Sequence, residues 1–156
     1  MTTTHRSALS LSRLLPGGLL AGLFVNLIDI PNSALLVAPD WNRVLAAQGI
    51  VPNGPAIGAY FTTVHFLYGV LIVVTYAIMR ERFGSGAWTA VGATGLLLVV
   101  HRMFGFGAVV MGQMPASIWL RFSLSMVIGS LIGGVAGAWL YERRAAAAAA
   151  VTVTRG

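Results

Sequence analysis

Asp29, His65 and His101 lie inside long apolar stretches of this chain, and each has polar company. Asn26 precedes Asp29 by about one helical turn, Arg102 follows His101 directly, and Arg121 stands in a fourth apolar stretch. Charged and strongly polar groups are costly in hydrocarbon and are kept where they face a protein interior and pair with one another, so these six residues form a candidate ligand-binding or polar layer. Their types allow several chemistries. A carboxylate beside an imidazole holds a proton or an ion. Two imidazoles at equal depth are the ligand set of a b-type haem, with Gly69 and Gly105 giving room and Arg102 or Arg121 meeting propionates. The arginines favour an anionic or neutral ligand over a cation. Asp29, His65 and His101 are also the trio a zinc ion would have to use, but they follow no metal-site spacing, so no metal is expected. The plainer use of the same residues is structural. An ion pair from Asp29 to Arg102 or Arg121, with the histidines bonded to carbonyls or to Asn26, Tyr60 and Tyr68, would fix helix order.

These residues need elements to place them, and the composition says which. Of 156 residues, 57% are apolar and 9% charged, which excludes an ordinary soluble domain. Four apolar stretches, about 15–37, 56–79, 87–111 and 116–140, are each long enough to cross a bilayer as a helix. The expected fold is an all-α, antiparallel four-helix membrane bundle, a single domain over 1–144, with an alanine-rich tail at 145–156 that frays. The first stretch runs into Asp29, Pro31 and Asn32 rather than a small-residue cleavage site, so it reads as a retained span.

All ten basic residues are arginines, and the formal net charge is +6. Arg6, Arg13, Arg80, Arg82, Arg143, Arg144 and Arg155 fall on one side of the predicted spans, against Arg43 alone on the other. That bias places both termini in the cytoplasm, and the arginines at span ends mark topology rather than a nucleic-acid footprint. On this layout Asp29, His65 and His101 each fall ~12 to 15 Å from the outer ends of their helices. Helical stepping puts Gly22, Asn26, Asp29 and Ser33 on one face of span one, and Thr62, His65, Gly69 and Tyr76 on one face of span two. Thr94, His101, Gly105, Ala108 and Gly112 form a stripe on span three, and Arg121, Ser125 and Gly129 follow one another on span four. Pro31 frees the carbonyl of Leu27 beside this layer.

Between spans one and two, the spacing of Trp41, Val44, Leu45 and Gln48 predicts a short interfacial helix in the outer loop, with Asp40 as N-cap and Gly49 as the stop. Helix packing is legible in the small residues. Gly129, Gly133 and Gly137 repeat at intervals of four on span four, and Gly18 and Gly22 do so on span one, predicting a close crossing of these two spans or a contact between two copies of the chain.

The chain has no cysteine, no H-E-x-x-H, G-x-S-x-G or Walker loop and no carboxylate pair, so no catalytic residue is assigned. The strings Gly-Leu-Leu-Ala-Gly-Leu at 18–23, Asp-Trp-Asn-Arg-Val-Leu-Ala-Ala-Gln-Gly at 40–49, Arg-Glu-Arg-Phe-Gly-Ser-Gly at 80–86 and Ala-Gly-Ala-Trp-Leu-Tyr-Glu at 136–142 resemble those of a group of bacterial four-span integral membrane proteins with no assigned activity. The resemblance implies the four-span fold and a bacterial inner-membrane location, and it transfers no catalytic residue. The sequence thus points to a non-enzymatic accessory or stabilising subunit of a larger membrane complex. The alternative is an intramembrane binding protein for haem b, a quinone or a small anion, or a small proton-coupled transporter using Asp29. The expected partners are the lipid bilayer and either a second copy or a larger membrane protein complex, with no nucleic acid.

Overall fold

The computed structural model describes residues 9–153, all of whose regular structure is helical. Arg6 and Arg155, used above for topology, lie outside the described residues. Five α-helices follow in order: α1 Leu11–Asn32, α2 Ala38–Ala47, α3 Gly54–Phe83, α4 Ala87–Val110 and α5 Ala116–Val153. Four helical runs are long and apolar enough to cross a membrane: Leu11–Ala47, Gly54–Phe83, Ala87–Val110 and Ala116–Ala148. The connections between them are short, so consecutive runs are antiparallel neighbours. One end of the bundle carries the start of α1, the α3–α4 turn and the end of α5, and is called the termini end below. The other is the α2 end.

The first run differs from the sequence expectation. α1 does not stop before an outer loop; it continues through a π-helical turn, Ser33–Val37, directly into α2. The predicted interfacial helix is therefore an extension of the first span, and the connecting loop shrinks to residues 48–53. Prolines explain the join. Pro31 and Pro39 each lack an N–H, so two bonds are missing from the i to i−4 ladder on either side of the turn, and the wider turn accommodates the interruption without ending the helix. Asp40 accordingly sits in the first turn of α2 rather than at its cap. Gly49 does act as the stop. Its φ is +75°, its N–H donates to the Ala46 carbonyl, and the Ile50 N–H donates to the Leu45 carbonyl at 2.9 Å, the paired bonds of a Schellman ending. Toward the C-terminal end, the alanine run prolongs α5, which is helical as far as Val153, the last of the described residues.

α5 packs most extensively on α1, and α1 in turn on α3; α4 is held against α5 and α3 and leaves most of its surface outward. The glycines set these distances. A Cβ added at Gly133 would fall 2.5 Å from the Ala21 carbonyl oxygen, and one at Gly137 would fall 2.6 Å from the Gly17 carbonyl oxygen. The span-four ridge therefore meets α1 at Gly17, Ala21 and Val25. Gly18 and Gly22 do not face it, which corrects the pairing read from sequence. They face α3, where a Cβ at Gly18 would fall 2.6 Å from the Val70 Cα and one at Gly22 2.6 Å from the Phe66 Cα. Gly69 completes that crossing, since its own Cβ would collide with the Gly22 nitrogen and the Gly18 carbonyl oxygen. α1 thus has two glycine-bearing faces and is clasped on both sides.

Candidate functional site

The network begins at the middle of the α1–α3 contact. Asn26 donates from Nδ2 to the Gly22 carbonyl at 2.9 Å and to the Thr62 carbonyl at 3.4 Å. Those two donations fix the amide, leaving Oδ1 to face His65 Nδ1 at 3.0 Å. Nδ1 must then carry the proton. The opposite nitrogen, Nε2, faces Asp29 Oδ2 at 3.5 Å, where both side chains are buried. Because a carboxylate and an unprotonated ring nitrogen are both acceptors, their contact closes only with one further proton, carried by the imidazole or by the acid.

α5 supplies the rest of the carboxylate's environment. Ser125 donates to Asp29 Oδ1 at 2.6 Å, Ser33 donates to Oδ2 at 3.4 Å, and Asn32 donates to Ser125 Oγ at 2.9 Å. Asp29, His65 and Asn26 with Ser125 therefore tie α1, α3 and α5 together. Helical stepping puts Ser125 on the right face; Asn32, one turn beyond Asp29 on the same side of α1, is the member of the network that the sequence pattern did not single out.

The remaining predicted residues go elsewhere. His101 lies against Tyr68, ring centroids 5.3 Å apart and planes inclined by 46°, rather than bonding Asp29. Arg102 bonds Ser123 Oγ through Nη1 at 3.3 Å and makes no ion pair among the described residues, although its charge lies within reach of Asp29, His65, His101 and Tyr68. Arg121 leaves the layer altogether. It reaches toward the α2 end, donating to Asp40 Oδ2 at 2.7 Å and to the Leu36 carbonyl at 3.2 Å. Asp40 also pairs with Arg43 at 2.5 Å, so the acid read as a cap joins α2 to α5 instead. The expected Asp29 ion pair with an arginine is replaced by the His65 contact, because Arg121 found a solvated acid closer to its own helix end and Arg102 turned to α5.

These contacts bear on the cofactors considered above. A haem ligand needs one free imidazole nitrogen on each of two facing rings, and with His65 Nδ1 bonded to Asn26 that nitrogen is Nε2, which is turned to Asp29, while the His101 ring lies against Tyr68. The residues do not fit a haem. Among the described residues no group of three His, Cys, Asp or Glu side chains is placed to hold a metal ion, so Asp29, His65 and His101 do not assemble as a ligand set.

A second polar cluster, absent from the sequence reading, closes the termini end. Tyr76 donates to Glu142 Oε1 at 2.8 Å and accepts from the Gly86 N–H at 3.3 Å, while Arg80 Nε meets the same Glu142 oxygen at 3.0 Å. Tyr141 is fully buried, edge-on to Tyr76. Matching depths would have found this cluster too, since Arg80 and Glu142 both close predicted spans on one side.

An all-helical chain with four membrane-length helices and an internal polar network is a multi-pass membrane protein. No protein-family model, curated protein or solved structure matches it.

Proposed function

We propose that this chain is an accessory or stabilising subunit of a larger membrane assembly, seated in the inner membrane of a bacterium with both termini cytoplasmic. The observation that carries this reading is the closure of the polar network on itself. Asp29 is met by Ser125, Ser33 and His65, and His65 by Asn26 and Asp29, so this acid and this imidazole are spent on holding α1, α3 and α5 in register. The connections, residues 48–53, 84–86 and 111–115, are too short to carry a soluble catalytic domain. Orientation rests on the arginines: Arg13, Arg80, Arg82, Arg143 and Arg144 gather at the termini end, and the α2 end has Arg43 together with Arg121, which reaches it to pair with Asp40.

α4 supplies the face for a protein neighbour. It is the least enclosed of the four spans and presents Leu96, Val99, Met103 and Phe104 outward, with Gly92 and Gly95 free of close neighbours on their Cβ side apart from Met79 near Gly92. Outward small residues between large apolar ones suit helix-to-helix contact in lipid. The test is photo-crosslinking in native membranes from probes at Leu96 and Met103, compared with Leu27 on α1. Adducts with other proteins from α4, persisting in His65→Ala, support the subunit. Purification as a lone chain with no α4 adduct would sink it. A protein of the second class, using Asp29 as a transport or ligand site, would instead keep its assembly state and lose proton release or ligand uptake in Asp29→Asn.

A further inference from the structure

Arg102 has an uncommon situation for a cation inside a helical bundle. Its Nη1 is bonded to Ser123, but its Nε is buried and has no hydrogen-bond partner among the described residues. Trp119 repeats the pattern, with a buried indole Nε1 that has no partner. The two groups adjoin. A Cβ placed on Gly105 would lie 3.4 Å from Trp119 Nε1 and 4.0 Å from Arg102 Nη2, so both side chains lie over this glycine and their donors are brought together by its lack of a side chain. Nε–H and Nη2–H make one edge of the guanidinium, the fork that receives two oxygens of a carboxylate or phosphate, and the indole N–H adds a third donor. Two unpaired donors, one of them on a guanidinium with no direct ion pair among the described residues, are costly in a low-dielectric setting, and a single anion with several oxygens relieves both.

Position selects the anion. Trp119 is in the first turn of α5 at the α2 end, and Arg102 Nη2 lies beside Gly105, one turn nearer that end than its own backbone, so the donors lie in the half of the bundle toward the α2 end. The surface beside them is hydrocarbon-compatible. Phe106 packs edge-on to Trp119, centroids 5.1 Å apart, and Met103 and Leu120 are exposed. We propose that Arg102 and Trp119, flanking Gly105, bind the phosphodiester of an anionic phospholipid in the leaflet at the α2 end, with its acyl chains along Phe106, Met103 and Leu120. The site needs neither the Asp29 network nor the subunit role.

The experiment is native mass spectrometry of the full chain released from nanodiscs of phosphatidylglycerol and phosphatidylcholine, with inorganic phosphate titrated in a separate arm. One retained phosphatidylglycerol is expected, with retention falling about tenfold in Arg102→Met and about threefold in Trp119→Phe, which keeps the ring and the fold and removes one donor. Arg82→Met, an exposed arginine at the other end, retains lipid as the unchanged chain does. Equal retention by the unchanged chain and Trp119→Phe overturns the site. So does equal retention of phosphatidylcholine and phosphatidylglycerol. Displacement of the lipid by millimolar inorganic phosphate overturns the lipid assignment and leaves a soluble anion as the ligand.

Discussion

The two halves of the bundle are held by different means. Toward the termini end, the contact is backbone on backbone: Gly133 and Gly137 bring α5 onto Ala21 and Gly17, and Val73, Ala77, Ala90, Ala93 and Ala138 fill what is left. Toward the α2 end, the same helices are joined by side-chain hydrogen bonds among Asn26, Asp29, His65 and Ser125, beside an apolar group of Val25, Tyr68, Ile72, Leu98 and Met126. Lipid is as apolar as leucine, so helices in a membrane gain little from burying apolar surface against one another. Close approach and interhelical hydrogen bonds remain as the two available sources of affinity, and this chain divides them between its halves. The difference teaches which half tolerates change. A backbone crossing has no slack, whereas a hydrogen-bonded layer can exchange partners or admit a proton.

Four substitutions rank that contrast, each read as unfolding free energy in a common detergent. Gly133→Leu should cost most, about 3 kcal/mol, because four new heavy atoms must enter where even a Cβ meets the Ala21 carbonyl. Asp29→Ala comes next at about 2 kcal/mol, since it strands His65 and Ser125 without their acceptor. A larger loss from Asp29→Ala than from Gly133→Leu would reverse the comparison. Tyr76→Phe removes the bond to Glu142 and should cost about 1 kcal/mol, showing that the polar contribution at the termini end is the lesser one. Trp88→Ala, at a position 88% exposed, should stay within about 0.5 kcal/mol; a larger effect would mean that α4 is held by something at its free face.

Much of the fold was legible in the sequence, and the reason lies in the solvent. Length and apolar content decide what spans, and the four helical runs contain the four predicted stretches almost throughout. The join at Ser33–Val37 was not legible, because the span was expected to end at 37 and give way to an outer loop, whereas the helix carries on through a π-turn in which Val37 is fully buried. The site was legible in part. Stepping along helices placed Asn26, Asp29 and His65 on facing sides, but it could not choose among cations that share a depth.

By itself the sequence determined that this protein is a four-span helical bundle with a polar layer in one half, since bilayer thickness and helical rise leave no other element for such stretches. It also determined that the glycines mark close crossings. Tertiary structure alone decided which helix each glycine meets and which acid each arginine answers. A ridge of small residues records that a neighbour comes near but not which one. A long arginine side chain sweeps several ångströms, so Arg121 could leave the layer for Asp40 and Arg102 could turn to Ser123, choices settled only once the helices had taken their rotations and heights.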